Sequence, residues 1–410
     1  MASFSFGAGN AGKLLRIPLY AAGRLVTAVV PRSRDLWVFG CAAGITDGAW
    51  ALWRHAADAG ERAVWLTATP AEAREADRRG IAHTPKASLR GFWWTARARV
   101  IVVTHGFGDV NRYAATSGII VQLWHGIPLK RIGLDSPVTT QSPLPLLSGV
   151  LRGFYRRTQA RIRILPAASE LVRGRLESAF GVSEGRVPVV GEPRVDVLSR
   201  GSAGERRQTA RAELTRLTGP AAPGIRRILY APTWRDGAPD PAIPTVADWA
   251  KIVEVLEETG AMLLVRSHPL GAGEYASPDG SDRVRALGSD VVPDVTPLLP
   301  GMDVLVTDYS SLAFDASLVP LPTVFFAPDL ADYAARRGFY GTYEEVAGAD
   351  AAEDWDAVIA ELRRVLTDDN HRAARIERSA RLSSRVHAYV DGRNTERVYA
   401  RIRALMERES

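Results

Sequence analysis

Length, composition and charge restrict what this chain can be. Its 410 residues are too many for one ordinary hydrophobic core and suit two domains. A hydrophobic fraction of 46% with 24% charged residues is typical of a globular protein and excludes a disordered one. The single cysteine, Cys41, excludes an internal disulfide framework and a cysteine-based zinc site.

An apolar segment near the N-terminus, residues 17–30, is too short to span a bilayer and carries Arg24. Two interpretations stay open for residues 1–35. Their mixture of basic and apolar residues is typical of an interfacial helix that contacts a membrane. The same mixture equally suits a first helix that packs on the N-terminal domain.

The next elements predict alternating strands and helices. Short apolar runs that end in glycine or polar residues are typical of buried parallel strands, each followed by its helix. The predicted strands are residues 36–40, 63–66, 100–103 and 119–124, and the predicted helices are residues 47–59 and 70–79.

Positive charge is concentrated in residues 86–175. This segment has fourteen Lys and Arg residues and three acidic ones, a net charge of +11, whereas the whole chain carries +6. The excess favours a polyanionic partner, either an anionic membrane surface or a phosphate polymer. Nucleic acid is disfavoured, because aromatic residues that would stack on bases are not interleaved with the cations. Arg156, Arg157 and Arg161 are the residues that we expect to face a membrane.

A second series of strands and helices follows residues 199–224, which have little strand signal and are interpreted as a helix plus an interdomain linker. The predicted strands of this series are residues 227–230, 261–265, 302–307 and 323–326. The whole pattern predicts an α/β fold of two Rossmann-like, doubly wound domains facing a cleft. The predicted divisions are an N-terminal domain at 1–198, the linker at 199–224, a C-terminal domain at 225–385, and a C-terminal helix at 386–410 that packs back on the N-terminal domain.

His125 stands at the end of the predicted strand 119–124, where chemistry is expected. In open α/β sheets the ligand binds beyond the carboxyl ends of the strands. An imidazole titrates near neutral pH and suits a general base that accepts a proton from a hydroxyl group. Lys130 and Arg131 follow closely enough to meet a phosphate. A histidine that is merely hydrogen-bonded at a strand end explains His125 equally well when the residue is taken alone.

Arg266 and His268 repeat this arrangement after the predicted strand 261–265. A guanidinium group is well shaped to bind a diphosphate. A protonated His268 would stabilise the charge on a leaving nucleoside monophosphate. The alternative is an ordinary surface loop.

Hydroxyl groups follow the predicted strand that ends at Thr307. Ser310 and Ser311 are expected near the start of a helix, where hydroxyls and backbone N–H groups form an anion site, although helix capping alone explains one serine. Asp315, one turn further on, would hold donor hydroxyls. Thr233 follows the strand 227–230 at the same sheet edge.

The sequence indicates no metal site and no cofactor. The closely spaced acids Asp354 and Asp356 fit the start of a helix. The segment HGFG at residues 105–108 resembles a phosphate-binding loop only loosely, because it lacks the Lys-Ser/Thr ending of a P-loop.

Seven segments, in this order, resemble the CDP-glycerol glycerophosphotransferase family, the teichoic-acid primases and polymerases. The resemblance covers about residues 100–400. The segments are QLWHGIPLK (122–130), GEPRVD (191–196), YAPTWR (230–235), RSHP (266–269), residues 294–315, RGFY (337–340) and HAYVDGRNTER (387–397).

This resemblance implies a GT-B fold whose N-terminal domain binds the acceptor and whose C-terminal domain binds a CDP-alcohol. The implied reaction moves glycerol phosphate from CDP-glycerol to the hydroxyl of a lipid-linked, teichoic-acid-type acceptor, releases CMP and needs no metal or other cofactor. The implied location is the cytoplasmic face of the cell membrane, to which the protein binds peripherally.

The resemblance also assigns roles to individual residues. His125 corresponds to the base that acts on the acceptor hydroxyl, and His268 is a second catalytic residue. The residues implied in donor binding are Thr233, Arg266, Thr307, Ser310, Ser311 and Asp315.

Three departures from the family pattern bear on the donor alcohol. Ile127 stands where the family commonly has Thr, Val195 where it has Asn, and residues 346–350 replace a Pro-Gly-Pro turn. CDP-ribitol or another nucleotide-linked alcohol or sugar phosphate therefore stays open as the donor, as does the choice between primase and polymerase. A nucleotide-sugar glycosyltransferase or epimerase would suit the architecture but not the Trp-His-Gly-Ile-Pro segment. A non-catalytic scaffold that binds polyanions or membranes would need neither histidine.

Overall fold

The computed structural model describes residues 17–136, 139, 145–233, 235, 240–267, 275–277 and 280–409. The chain divides into two compact units, which are described separately. Unit 1 contains Met1–His125, Arg131–Asp196 and His387–Ser410, and unit 2 contains Gly126–Lys130 and Val197–Val386.

Unit 1 is built on a six-stranded parallel sheet in the order β3-β2-β1-β4-β5-β6. Its strands are β1 (Leu36–Phe39), β2 (Arg62–Thr67), β3 (His83–Pro85), β4 (Val100–Val103), β5 (Ile119–Gln122) and β6 (Ile162–Ile164). Its helices before the last one are α1 (Ile17–Val29), α2 (Asp47–Asp58), α3 (Pro70–Arg78), α4 (Leu89–Arg97), α5 (Pro145–Gln159) and α6 (Glu170–Phe180). The central strands are buried along their whole length, which explains their continuous apolar runs.

Unit 2 has a five-stranded parallel sheet in the order β11-β10-β7-β8-β9. Its strands are β7 (Arg226–Ala231), β8 (Ala261–Val265), β9 (Val284–Ala286), β10 (Val304–Thr307) and β11 (Thr323–Phe325). Its helices are α7 (Asp196–Ser199, which begins at the last residue of unit 1), α8 (Ala203–Thr218), α9 (Val246–Glu258), α10 (Leu312–Ser317), α11 (Leu330–Arg337), α12 (Glu344–Ala347), α13 (Trp355–Thr367) and α14 (Asp369–Val386). Trp249 and Trp355 are buried in its core.

The structure corrects the interpretation of residues 199–224 as a linker, because helix α8 is an integral part of unit 2. Its side chains Ala210 and Leu214 are buried, and Gly301 lies directly against both of them. On the same helix Arg211 pairs at 3.0 Å with the buried carboxylate of Asp303. The chain passes from unit 1 to unit 2 after Asp196, before this segment begins.

The last helix, α15 (Asn394–Arg408), packs within unit 1. Tyr399 stacks on Trp37 of β1 at 5.7 Å, and its hydroxyl donates to Glu61 at 2.7 Å. The buried carboxylate of Asp196 accepts hydrogen bonds from the backbone N–H groups of Asn394 and Thr395, at 2.9 and 2.8 Å. These bonds satisfy donors of the first turn, which have no partner within a helix. No helix within the described ranges has the length and apolarity needed to cross a membrane.

Candidate functional site

Strand order identifies where each unit is expected to bind a ligand. In unit 1 the order of the strands reverses between β1 and β4, and in unit 2 it reverses between β7 and β10. Such switch points leave a crevice at the carboxyl ends of the strands, where open α/β sheets bind ligands. The loops that follow β4, β7 and β10 therefore lie at the two candidate sites, and the loop after β5 lies beside the first.

In unit 1 the loop after β4 is held by a buried acid, Asp109. One carboxylate oxygen accepts hydrogen bonds from the backbone N–H groups of Thr104 and His105, at 2.8 and 2.7 Å. Burial raises the pKa of this carboxyl above its ordinary value, although the neighbouring His105 and the backbone donors oppose that change. The turn that leaves β4 is thereby fixed in one conformation.

His125, the predicted base, lies beside this turn. Its Nδ1 is 3.4 Å from the carbonyl oxygen of Thr104, which also accepts from the side-chain amide of Gln122 at 2.6 Å. A carbonyl oxygen only accepts hydrogen bonds, so this contact favours the neutral ring with its proton on Nδ1 and its lone pair on Nε2. This tautomer is the one that a general base working through Nε2 requires.

Two aromatic rings restrain the His125 imidazole. His105 is stacked on it with 4.3 Å between ring centroids and 6° between ring planes, and Trp124 lies at 4.1 Å and 35°. Trp124 has a φ of 63°, a left-handed conformation that is unfavourable for a bulky residue, and Gly126 has a φ of 121°. The predicted strand 119–124 therefore ends at Gln122, and the backbone reverses around the histidine.

In unit 2 the switch point is organised by Asp308, which follows β10. Its two carboxylate oxygens accept from the backbone N–H of Thr233 at 2.9 and 3.1 Å, so the loop after β7 is tied to the loop after β10. Arg235 pairs with the same carboxylate at 2.6 Å and with Asp329 at 2.9 and 3.0 Å, while its side chain is only 1% exposed. Burial lowers the pKa of this guanidinium, but the carboxylates outweigh burial and the net pKa is raised. The sequence did not predict Asp308 as a site residue, and Arg235 was not among the predicted donor-binding residues.

Ser310 and Ser311 are half-buried at the start of α10, as expected, but this helix has only six residues. Ser311 is the N-cap and its side chain makes no capping hydrogen bond, whereas Ser310 Oγ accepts from the backbone N–H of Leu312 at 3.2 Å. Asp315 is 2% exposed, on a helix whose residues 313–317 are all buried. Its expected role of holding donor hydroxyls stays a prediction.

Two other residues that were predicted to bind the donor substrate make hydrogen bonds within the fold. Thr307 is fully buried, and its hydroxyl donates to the carbonyl oxygen of Ala231 at 2.8 Å, which joins the ends of β10 and β7. The guanidinium of Arg266 donates to the carbonyl oxygens of Val292 and Pro293, at 2.8 and 3.0 Å. These bonds use the guanidinium N–H groups of Arg266 that were expected to bind a diphosphate. His268, the second predicted catalytic residue, lies outside the described residues.

Lys130 and Arg131 are adjacent but lie in different surroundings. Lys130 belongs to unit 2, where its backbone forms an isolated antiparallel β-bridge with Phe339. Its Nζ is 5.8 Å from the ring centroid of Tyr333. Burial lowers the pKa of this ammonium group to about 8, although Asp308 opposes the change. Arg131 belongs to unit 1 and is exposed. The expectation that Lys130 and Arg131 meet a phosphate stays a prediction.

The three arginines predicted to face a membrane also differ from one another. Arg156 and Arg157 are exposed in the last turn of α5, close to the exposed Phe154. Arg161 is half-buried and donates to the carbonyl oxygen of Ala115 at 3.4 Å, and burial lowers its pKa. Arg161 therefore makes a hydrogen bond within the fold and is less exposed than the other two. Among the described residues, no group of three or more His, Cys, Asp or Glu is placed to hold a metal ion.

Comparisons with known proteins agree with this architecture. A teichoic acid glycerol-phosphate transferase of Staphylococcus aureus is 29% identical over 294 residues, which are 70% of this chain and 72% of that protein. The ribitol-phosphate polymerase TarL of the same organism is 28% identical over 68% of this chain, but the chain spans only 46% of its length. The solved structure of the wall teichoic acid polymerase TagF shares the fold, with a TM-score of 0.78 at 22% identity over 97% of this chain and 96% of that one.

The family profile described as CDP-glycerol:poly(glycerophosphate) glycerophosphotransferase matches residues 26–404. That match extends from the first described helix into the last one and includes both switch points. The protein therefore belongs to the CDP-glycerol:poly(glycerophosphate) glycerophosphotransferase family.

Proposed function

We propose that this protein transfers glycerol phosphate from CDP-glycerol to the hydroxyl group of a lipid-linked, teichoic-acid-type acceptor and releases CMP. The observation that carries the proposal is the contact of 3.4 Å between Nδ1 of His125 and the Thr104 carbonyl oxygen, which favours the tautomer with the proton on Nδ1. Nε2 is then the basic atom, and it stands at the end of a parallel strand where ligands bind. Family membership supports the reaction class.

In the proposed step, Nε2 of His125 accepts the proton of the acceptor hydroxyl while that oxygen bonds to the β-phosphorus of the donor. The bond between this phosphorus and the oxygen that links it to CMP breaks, and the electron pair leaves with CMP. We assign to His268 the stabilisation of the charge that develops on CMP. The proposal assigns no step to a metal or another cofactor.

We assign the donor to the switch point of unit 2. The half-buried hydroxyls of Ser310 and Ser311 and the loop of Thr233 lie there, at the carboxyl ends of β10 and β7. The base and the donor site then belong to different units. The GT-B arrangement implied by the resemblance, in which the two units face a cleft and close during transfer, is part of this proposal.

CDP-ribitol is the second candidate donor, because a ribitol-phosphate polymerase and a glycerol-phosphate transferase are almost equally similar to this chain, at 28% and 29% identity. Purified protein offered CDP-glycerol and CDP-ribitol in turn, with a lipid-linked acceptor in detergent, should release CMP with only one of them. Product length then separates a primase, which adds one unit, from a polymerase. Absence of CMP release with both donors, while the acceptor is verified and the protein folded, would contradict the proposal.

We also infer that the protein binds the cytoplasmic face of the membrane through α1 and α5. Gly23 of helix α1 packs against Tyr113 so closely that a Cβ atom on it would lie 2.4 Å from the Tyr113 carbonyl oxygen. On the same helix, Leu25 and Val29 are 73% and 81% exposed. Exposed apolar residues with nearby cations are typical of a helix that lies in the interface of an anionic membrane. Arg156 and Arg157 of α5 supply such cations, while Arg161 is left out because of its structural contact.

A further inference from the structure

His105 takes no part in the proton transfer proposed above, yet it is packed directly against the base. It follows β4 at the switch point of unit 1, whereas His125 follows the neighbouring strand β5. The two imidazole rings are nearly parallel, with 6° between their planes and 4.3 Å between their centroids. Rings stacked in this way do not form an in-plane N–H···N hydrogen bond to each other, so His105 is not a proton relay for His125.

Thr104 links both histidines. Its hydroxyl oxygen is 2.7 Å from Nδ1 of His105 and 3.3 Å from the carboxylate of Asp109, while its carbonyl oxygen faces Nδ1 of His125. When Asp109 is ionised, the single hydroxyl proton of Thr104 points to the carboxylate, and the hydroxyl oxygen accepts from Nδ1 of His105. Thr104 thus contacts one nitrogen of each ring, and the stacking of the rings themselves restrains their planes.

The charge on His105 decides what its ring can do for the base. Burial lowers the pKa of this histidine, Asp109 and Asp47 act in the opposite direction, and Arg194 acts in the same direction as burial. A neutral ring tolerates a positive charge on the imidazole stacked against it, whereas two stacked cations would repel each other.

We propose that His105 is a positioning residue, whose flat ring fixes the plane of the His125 imidazole so that Nε2 meets the acceptor hydroxyl. This inference rests on the proposed function, in which His125 is the base. Reacting groups must be held closely, since a displacement of about 1 Å costs on the order of 100-fold in rate. Stacking supplies that restraint without competing for the proton that His125 accepts.

The kinetic test compares His105→Ala with His105→Phe. We expect His105→Ala to lower kcat about 10- to 100-fold while KM for the donor stays nearly constant, because the donor is assigned to unit 2. His105→Phe keeps a flat ring and should restore kcat to within about threefold of the wild type. The matched control is His55→Ala, which removes an imidazole packed edge-on against Tyr399 at 4.8 Å in the same unit. Wild-type kcat in His105→Ala, or a His105→Phe variant as slow as His105→Ala, would overturn the proposal.

A second readout does not depend on activity or on the alanine variant being stable. Histidine labelled with ¹⁵N in its ring reports the tautomer by NMR, and the signal of His125 is identified by its loss in His125→Ala. We expect the Nδ1–H tautomer of His125 in the wild type and in His105→Phe. In His105→Ala the unrestrained ring turns away from the Thr104 carbonyl oxygen part of the time, so we expect a mixture of tautomers. If His125→Ala retains CMP release, the proposed function fails. If His125→Ala is inactive while His105→Ala matches the wild type in kcat and tautomer, the inference alone fails.

Discussion

Replacing Asp308 with Asn should destabilise unit 2 and loosen the donor site together. The carboxylate is buried and receives the backbone N–H of Thr233 at 2.9 Å and the guanidinium of Arg235 at 2.6 Å. An asparagine side chain has the same shape but only one acceptor oxygen, and its NH₂ group faces one of these donors. The substitution therefore removes the negative charge and leaves a buried donor without an acceptor.

The expected size of the effect follows from the partners that Arg235 retains. Removing one member of a buried ion pair costs about 3–5 kcal/mol. Arg235 keeps Asp329, whose oxygens lie at 2.9 and 3.0 Å, so we expect the lower end of that range. A loss of about 3 kcal/mol makes the opening of unit 2 about 150-fold more frequent.

Hydrogen exchange measures this opening separately for the two units. The most protected amides of β7 and β10 should exchange about 150-fold faster in Asp308→Asn, while those of β4 in unit 1 keep their rates. The matched control is Asp332→Asn, an exposed acid on α11, for which we expect a change within about 0.5 kcal/mol. Unchanged protection of β7 in Asp308→Asn would refute the reasoning, as would an equal loss in the control.

Three further predictions concern other parts of the molecule. Asp196→Ala should lower the free energy of unfolding by about 1–3 kcal/mol and speed hydrogen exchange in α15, because buried N–H groups of that helix lose their acceptor. The control Asp391→Asn removes an acid from a surface ion pair and should change stability by less than about 1 kcal/mol. Equal effects of the two substitutions would contradict the role of Asp196 in holding α15. The pKa of Lys130 is about 8 in the folded protein, below that of an unfolded lysine, so between about pH 8 and 10 the unfolded chain binds one more proton than the folded chain. As pH rises through that interval, urea unfolding should show the wild type gaining stability relative to Lys130→Met. A stability difference that does not change with pH would contradict the lowered pKa of Lys130. Replacing Leu25 and Val29 together with Ser should weaken binding to anionic vesicles about tenfold or more in sedimentation assays, and unchanged binding would exclude α1 from the membrane contact.

The sheets could be predicted from the sequence because their central strands are continuous apolar runs. Residues 100–103 and 261–265 were predicted with the bounds that the structure shows. Strands β3, β6 and β9 were not predicted, since each has only three residues and includes a histidine or an arginine. Strand β11 is equally short but lies within the run TVFF at residues 323–326, which was predicted. Helix α8 was predicted, but its packing in unit 2 was not, because only two of its side chains, Ala210 and Leu214, are buried and two residues give no clear apolar face.

The candidate site was predictable only as far as strand ends determine it. His125 follows from the rule that ligands bind at the carboxyl ends of parallel strands. His105 obeys the same rule, but its glycine-rich surroundings were compared only with a phosphate-binding loop, and stacking between rings from two strands has no local sequence signal. Arg266 and Thr307 also stand at strand ends, yet their donors meet carbonyl oxygens of distant residues, which a local pattern does not show.

We propose that His125 is the base of a CDP-alcohol phosphotransferase. Acceptor-dependent CMP release should be measured for the wild type, His125→Ala and the control His55→Ala, after thermal unfolding has shown that all three are equally stable. We expect His125→Ala to lower the rate by about 10²- to 10⁴-fold, because a general base is lost, and His55→Ala to keep the wild-type rate. CMP release by His125→Ala at the wild-type rate would show that His125 is not the base.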